Sequence, residues 1–333
     1  MSSILWLSGD DITNTRICEF KKTIPIVEEA FRLFEEKEAI IVEESALYLS
    51  KTKGEESWYS LPAYVGGSFD VCGIKWSAHG KPLEGSDGKS RINALIAIND
   101  STGSNPLAIM NGTQIGAMRT GTVTTLAFKY LAPLSVKKIA LCGAGGQGEY
   151  QLRAILYSFP EAEEVAIWNR GLEKAETLVS KYQSETKIKL VATNDLDSAL
   201  NSAEIVVGVT SATEPYLTKE RIKDLALYCH VGFNEISLEA IKEFKSIIVD
   251  TWDEAKNVSG QSLFRLFRAG LVAEDRISGS LGEIIVGKLA LPRSSVSNKI
   301  MFDAFGLPIF DIAIAKIAYL TALEKGIGTM LDW

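Results

Sequence analysis

Histidine and cysteine are scarce in this sequence, and their scarcity excludes several kinds of site. The chain has two histidines and four cysteines among its 333 residues. Two histidines are too few for a histidine-based metal cluster, and the cysteines show no C-x-x-C spacing, so we predict no metal site. Scattered cysteines are typical of reduced thiols, which indicates a cytoplasmic protein.

Excess positive charge and long apolar segments are also missing. The chain has 35 lysines and arginines against 42 aspartates and glutamates, a net charge of -7, which argues against nucleic-acid partners and polybasic membrane anchors. No apolar run approaches the roughly 18 residues of a membrane span. The first residues, MSSILWLSGDD, lack a basic region, so we expect no signal peptide.

The most informative stretch is residues 137–170. An apolar run at 139–142, short enough for a buried strand, is followed by the letters GAGGQG, which fit G-x-G-x-x-G. A helical pattern then continues until Pro160, and a second apolar strand covers 165–168. This order of strand, glycine loop, helix and strand predicts a dinucleotide site, whereas the alternative is an ordinary glycine-rich turn.

Each glycine of this loop has a separate physical role. Gly143 permits the tight turn, Gly145 lets a pyrophosphate approach the backbone, and Gly148 lets the helix pack closely on the strand. The N-terminus of the helix then offers free N–H groups and the positive end of its dipole to the phosphates.

The patterns on either side of this stretch predict an α/β protein of two domains. Residues 133–301 alternate short apolar strands with helices, which indicates a Rossmann-type, doubly wound parallel sheet, and we expect the alternation to end near Lys299. Residues 1–132 begin with a predicted strand and turn over 1–20 and contain several short strands in succession, which favours an antiparallel or mixed sheet. We expect a last helix over 311–325, within residues 302–333, to return to this α+β domain and make it discontinuous.

The ribose end of the predicted site favours NADP(H) over NAD(H). NAD enzymes carry an acidic residue about 20 residues after the glycines, where it binds the ribose 2′-hydroxyl. This chain has Asn169 and Arg170 there. Arg170 would attract a 2′-phosphate through charged hydrogen bonds, and a carboxylate would repel it. Alternatively, Arg170 is a solvated residue at a helix start and other groups hold the ribose.

Two basic residues of the first domain are candidates for the substrate chemistry that a nicotinamide cofactor leaves to the protein. Lys75 lies in the apolar strand pattern VCGIKW, and Arg119 lies in the helix start GAMRTG. Taken alone, a lysine in a strand is more often solvated, and Arg119 could form a structural ion pair.

Four segments together resemble the ornithine cyclodeaminase/mu-crystallin family over essentially the whole chain. They are GGSFDVCGIKW with Lys75, NGTQIGAMRTGTVTTLAFKYLA with Arg119, the loop CGAGGQG, and the tail FGLPIFDIAIAKIAYLTALEKGIGTMLDW. The resemblance implies a homodimer, a discontinuous dimerisation domain, a Rossmann domain, and an amino-acid or imine substrate bound between the two.

The resemblance also implies roles for individual residues. Lys75 and Arg119 would bind the substrate carboxylate, and Lys75 would also move a proton. We expect the cofactor to be bound by Thr120, Gly143, Gly145, Gly146, Gln147, Gly148, Asn169, Arg170, Thr210 and Ser211.

The chain departs from the family pattern at three places. The family's catalytic acid, usually Asp, falls in residues 230–235, where the chain offers Glu235, or Asn234 if the register slips by one. We assign the general acid/base role to Glu235, with a pKa raised by burial. A second family arginine, expected in residues 42–47, is absent, and the residues at 303–305 replace the usual Lys-Ser or Lys-Thr.

The resemblance implies an NAD(P)-dependent oxidoreductase that acts on the C–N bond of an amino acid through an imine. It would be similar to ketimine reductases or to the opine-type dehydrogenases that make 2,3-diaminopropionate. An ornithine-type cyclodeaminase, which is an ammonia lyase, and a non-catalytic NADP(H)-binding protein are the alternatives. The substrate and the direction of the reaction stay open.

Overall fold

The computed structural model describes residues 3–49, 56–80, 92–103 and 105–333. Its contacts divide the chain into a first unit, Met1–Thr122 with Leu307–Trp333, and a second unit, Val123–Gly306. The domain boundaries expected from the sequence, at 132/133 and 301/302, stay a prediction. Within the described ranges, no helix has both the length and the apolar composition that a membrane crossing requires.

The strands are named in chain order. They are β1 (Ser3–Leu7), β2 (Ala39–Ile41), β3 (Ser45–Tyr48), β4 (Ser57–Val65), β5 (Val71–His79), β6 (Ile92–Asp100), β7 (Pro106–Asn111), β8 (Lys138–Cys142), β9 (Glu164–Trp168), β10 (Lys189–Thr193), β11 (Ile205–Gly208), β12 (Leu227–His230), β13 (Ser246–Val249), β14 (Ile277–Ser280), β15 (Ile300–Asp303) and β16 (Thr329–Asp332). The helices are α1 (Gly9–Thr15), α2 (Phe20–Glu35), α3 (Thr113–Leu131), α4 (Gly146–Ser158), α5 (Leu172–Tyr182), α6 (Leu196–Leu200), α7 (Leu238–Ile241), α8 (Ser262–Arg268), α9 (Leu281–Ile285) and α10 (Pro308–Lys325).

The first unit is built on a mixed sheet in the order β16-β1-β7-β6-β5-β4-β2, with β3 also paired to β4. The pair β1–β7 is parallel and the other pairs are antiparallel. Helix α10 packs on β4, β5 and β6 and on α2. Because side chains alternate between the two faces of a strand, this helix covers one face of β5, on which Val71, Lys75 and Ser77 are buried.

The chain start differs from the strand and turn expected over residues 1–20. After β1 the chain forms the short helix α1, whose capping box joins Ser8 to Asp11: the Ser8 side chain accepts from the Asp11 N–H, and the Asp11 carboxylate accepts from the Ser8 N–H. Two reciprocal bonds satisfy helix-end groups that a seven-residue helix cannot satisfy by itself. The chain over Gly9–Thr15 is therefore a helix where the sequence predicted a turn.

The second unit confirms the predicted Rossmann-type parallel sheet. Its strand order is β10-β9-β8-β11-β12-β15-β13-β14, and every pair is parallel. The expectation that the strand pattern ends near Lys299 was wrong, since β15 lies between β12 and β13. All four residues of β15 are buried, and its sequence is three apolar residues followed by an aspartate. The strand therefore lacks the alternation of apolar and polar residues that marks a half-exposed strand.

Candidate active site

The glycine loop between β8 and α4 has the geometry of a phosphate-binding turn. Gly143 has φ +116°, and an added Cβ would lie 2.7 Å from the Val209 carbonyl oxygen. At Gly148 an added Cβ would lie 2.2 Å from the Gly143 oxygen, so the close packing of helix and strand requires glycine. Around Gly145 and Gly146, by contrast, an added Cβ meets nothing within 4 Å, and both residues are exposed at the helix N-terminus. A dinucleotide phosphate can approach the backbone there.

The two residues at the ribose end behave differently. The Asn169 side chain accepts from the Ala144 N–H at 3.1 Å and donates to the Gly171 carbonyl at 2.9 Å, which ties the end of β9 to the glycine loop. Arg170 is exposed, and among the described residues it has no hydrogen bond or ion pair. Its guanidinium is therefore available to an anion.

The remaining cofactor candidates are placed as follows. Gln147, in the first turn of α4, has a buried Oε1 without a hydrogen-bond partner in the described part of the chain. Thr210 donates its hydroxyl to Glu235 at 2.6 Å, whereas Ser211 is exposed. Thr120 belongs to the first unit, where its hydroxyl donates to the Gly116 carbonyl at 3.0 Å. Cofactor contacts at these residues stay a prediction.

In the first unit, Lys75 and Arg119 converge on a buried carboxylate that the sequence analysis did not single out. Lys75 Nζ donates to Asp311 Oδ2 at 2.7 Å, and Arg119 Nε lies 3.3 Å from the same oxygen. Asp311 is fully buried and Lys75 is 6% exposed. Asp311 Oδ1 has no hydrogen-bond partner among the described residues. Asp311 Oδ2 thus lies beside two cations. We call Lys75, Arg119 and Asp311 the cation cluster.

A sequence signal for Asp311 existed. It is the only acid in an otherwise apolar stretch, IFDIAIA, of α10, and a lone acid on a buried helix face needs a cationic partner. The signal did not reveal which cation, because Lys75 is 236 residues away in the chain.

The surroundings of the cation cluster shift the pKa of three neighbouring side chains. Burial lowers the pKa of Lys75, Asp311 raises it and Arg119 lowers it, with a net lowering. Burial raises the pKa of Glu44, and the charges of Lys75 and Arg119 counteract this effect. Burial and the charge of Lys75 lower the pKa of His79 to about 4, so its imidazole is neutral at pH 7.

Glu235, the predicted general acid/base, lies in the second unit inside a shell of hydrogen-bond donors. Its Oε1 accepts from the N–H and hydroxyl of Thr210, both at 2.6 Å, and from the Tyr216 hydroxyl at 2.9 Å. Its Oε2 accepts from the Tyr228 hydroxyl at 3.0 Å. Burial and the charge of Glu235 raise the pKa of both phenols, so they remain donors. Glu235 is fully buried, and its catalytic role stays a prediction.

A buried histidine, His230, lies next to Glu235 at the carboxyl ends of β12 and β15. His230 Nδ1 lies 2.7 Å from Asp303 Oδ2, and its Nε2 lies 2.8 Å from the Phe233 carbonyl and 3.6 Å from Glu235. Burial lowers the pKa of His230, but the charges of Asp303 and Glu235 and the hydrogen bonds to Asp303 and Phe233 together outweigh burial, and the net shift is upward. Asn234, the alternative for the catalytic acid, donates to the Thr213 carbonyl. From the sequence, Asp303 is notable only because it departs from a family pattern.

Comparisons with known proteins cover nearly the whole chain. The model of the ornithine cyclodeaminase/mu-crystallin family matches residues 10–326. The N-((2S)-2-amino-2-carboxyethyl)-L-glutamate dehydrogenase of Staphylococcus aureus is 26% identical over 276 residues, which are 82% of this chain and 81% of the relative.

Two solved structures resemble the chain along its full length. The Δ1-pyrroline-2-carboxylate reductase of Thermococcus litoralis, in complex with NADH and L-proline, has a TM-score of 0.89 and 27% identity and covers 98% of this chain and 99% of its own. An archaeal alanine dehydrogenase dimer with bound NAD has a TM-score of 0.88 and 25% identity, with 99% of both chains covered.

Proposed function

The chain belongs to the ornithine cyclodeaminase/mu-crystallin family, and we propose that it is an NAD(P)-dependent oxidoreductase that acts on the C–N bond of an amino acid through an imine. The relatives named above are dehydrogenases and a reductase of amino acids and a cyclic imine. The observation that carries the proposal is the cation cluster. The buried Lys75 and the half-buried Arg119 lie beside the single carboxylate of Asp311, so one of the two cations can also bind the carboxylate of an amino or imino acid.

The glycine loop fits a nicotinamide dinucleotide. Gly145 and Gly146 leave open space at the N-terminus of α4, and Gly143 and Gly148 maintain the turn beneath them. A bound nicotinamide supplies or accepts the hydride. The chain's own contribution in the second unit is to bind the phosphates through backbone N–H groups.

Lys75 and Arg119 divide the substrate chemistry between them. Reduction of an imine adds a proton to nitrogen as well as a hydride to carbon. The guanidinium of Arg119 binds a carboxylate in a fixed orientation, because its N–H groups form a planar fork. Lys75, with its lowered pKa, supplies the proton in reduction and accepts it in oxidation.

The test is spectrophotometric turnover with a panel of cyclic imines, 2-oxo acids with ammonia or amines, and L-amino acids. We expect NADPH or NADH to be consumed with at least one imine. Release of ammonia from L-ornithine without net change in the reduced cofactor would instead establish the cyclodeaminase. No turnover of any compound, with intact cofactor binding, would favour a non-catalytic NADP(H)-binding protein.

Within this function we propose that NADP(H) binds more tightly than NAD(H). Arg170 is exposed without a partner among the described residues, and no acid stands at the end of β9. Arg170→Ala should cost about 1.5–3 kcal/mol of NADP(H) affinity, the range for a hydrogen bond to a charged group, and little NAD(H) affinity. Fluorescence titration of both cofactors measures this difference, and tighter NAD(H) binding by the native chain would contradict the preference.

We also propose a homodimer built on the sheet of the first unit. The face of this sheet opposite Lys75 exposes Leu47, Trp76 and Leu95. Exposed apolar side chains on one sheet face are typical of a protein interface, and one structural neighbour is a dimer. A stable interface of this kind buries on the order of 2,000 Å² or more. Light scattering at micromolar concentration should give the mass of a dimer, and a monomer would contradict the proposal.

A cytoplasmic location completes the proposal. All four cysteines lie in the described part of the chain, and each is a free thiol. Free thiols persist in reducing compartments. Fractionation of cells that express the chain should recover it with cytoplasmic markers, and recovery with secreted proteins would contradict this location.

A further inference from the structure

The edge of the first unit's sheet changes register beside the cation cluster. In β2, Ile41 lies level with Ala63 of β4, whereas in β3, Ser45 lies level with Ser60. Three residues, 42–44, therefore face two residues of β4. This is the pattern of a β-bulge, which re-aims side chains and is frequent beside active sites.

The register downstream of the bulge directs Glu44 toward Lys75. Continued by one residue, the pairing of β3 places Glu44 level with Leu61, and Leu61 lies level with Lys75 in β5. Residues level with one another in antiparallel strands point to the same face. Glu44 is therefore on the face of the cation cluster, two strand spacings or about 10 Å from the Lys75 backbone.

The burial of Glu44 and its electrostatic interactions agree with a side chain directed toward Lys75. Glu44 is half-buried, whereas its neighbours Val42 and Glu43 are exposed. Burial raises the pKa of Glu44, and the charges of Lys75 and Arg119 lower it in part, so the carboxylate lies within electrostatic reach of both cations. Its charge in turn raises the pKa of Lys75.

Glu44 changes the charge balance of the site. In the part of the chain that the structure describes, the charged groups facing Lys75 are Arg119, Asp311 and Glu44, and His79 is neutral at pH 7. Two cations and two carboxylates sum to zero. A site of zero net charge accepts a neutral zwitterion without leaving a buried charge unbalanced, and a second substrate carboxylate adds an uncompensated negative charge beside Glu44.

We infer that Glu44 is a specificity-determining residue: its carboxylate takes the cationic nitrogen of a zwitterionic amino or imino acid that has one carboxylate, and it disfavours dicarboxylates. The inference rests on the proposed function, because it presumes that the substrate carboxylate binds at Lys75 and Arg119. It narrows the substrate class to monocarboxylic α-amino acids and their imines.

The experiment compares monocarboxylates with dicarboxylates in both directions of the reaction. The probes are L-alanine, L-proline, L-aspartate and L-glutamate with oxidised cofactor, together with the matching 2-oxo acids or cyclic imines with ammonia and reduced cofactor. We expect the native enzyme to prefer the monocarboxylates in kcat/KM. Glu44→Gln should reduce that preference about 10- to 100-fold, mostly through KM, because the variant loses a charge-assisted bond and a repulsive charge together.

The controls separate specificity from folding and from overall charge. Glu43→Gln removes the same charge from an exposed neighbour and should leave the preference unchanged. Glu44→Asp keeps the charge and should retain part of the preference. Cofactor affinity should be equal in all variants, since the glycine loop belongs to the other unit.

The two proposals fail in different ways. Turnover with a preference in Glu44→Gln within about twofold of the native value would overturn the inference alone, as would a native preference for dicarboxylates. No turnover of any compound by the native, cofactor-binding protein would overturn the proposed function and this inference with it.

Discussion

Each of the two units buries a carboxylate completely, and the two carboxylates are satisfied in opposite ways. Asp311 of the first unit accepts a hydrogen bond from Lys75 on one oxygen, which also lies 3.3 Å from Arg119 Nε, and its other oxygen has no hydrogen-bond partner among the described residues. Glu235 of the second unit receives neutral donors on both oxygens.

The difference distinguishes a buried carboxylate that pairs with cations from one that is surrounded by neutral hydrogen-bond donors. At Asp311 two cations lie beside one carboxylate, so one of them can also bind the carboxylate of another molecule. At Glu235 every bond is made by groups of the unit itself, and the carboxylate joins the segment after β11 to the segment after β12. A buried acid by itself therefore does not indicate catalysis, and the charge state and spare bonding capacity of its partners are better indicators.

The largest expected effect is a loss of stability when the cation cluster loses the carboxylate of Asp311. Asp311→Asn keeps the shape of the side chain but removes the carboxylate that lies in direct contact with Lys75 and Arg119. Removal of one partner of a buried ion pair typically lowers the free energy of unfolding by about 3–5 kcal/mol. Urea denaturation measures the loss, and Glu324→Gln, an exposed acid on the same helix, is the matched control. A loss below about 1 kcal/mol would mean that the cluster is not a buried ion pair in solution.

The next effect distinguishes the two cations. Lys75→Arg keeps the charge but cannot release a proton, so kcat should fall by about 100-fold or more, the size typical of acid–base groups. Arg119→Lys loses the planar fork and should chiefly raise KM. Steady-state kinetics on any imine that is turned over measures both. A near-native kcat in Lys75→Arg would leave Lys75 only the role of a carboxylate anchor.

A smaller effect tests whether Glu235 has a structural or a catalytic role. Glu235→Gln replaces a charged acceptor by an amide whose N–H groups face donors, which should lower the free energy of unfolding by about 1.5–3 kcal/mol. If the carboxylate is structural, kcat of the folded variant stays within a few-fold of native. Glu239→Gln, an exposed acid of the same segment, is the control. A fall in kcat of about 100-fold in a folded Glu235→Gln would support the general acid/base role instead.

The smallest effect is a pH dependence of stability from His230. Burial lowers its pKa in the folded protein, but the charges of Asp303 and Glu235 and the hydrogen bonds to Asp303 and Phe233 together raise the pKa by more. The stabilisation is fully present below the unfolded pKa of about 6.5 and is lost as the pH rises through the folded value. His230→Gln should remove this component from the free energy of unfolding measured between pH 6 and 9. An unchanged profile in the variant would contradict it.

Local pattern was sufficient wherever neighbouring residues alone impose the geometry. The glycine loop of residues 143–148 could be predicted because backbone approach and helix packing at Gly143 and Gly148 tolerate no side chain. The parallel sheet could be predicted from the alternation of short apolar runs with helices, and the family from segments such as GGSFDVCGIKW.

The sequence by itself thus determined the fold class, the family and the turn that a dinucleotide needs. Tertiary structure decided the rest: the place of β15 between β12 and β13, the donors around Glu235, and the pairing of Lys75 with Asp311 across 236 residues. The physical reason is that helix and turn signals act over a few residues, whereas the partner of a buried charge is whichever group the packed sheet and helix bring within about 3 Å of it.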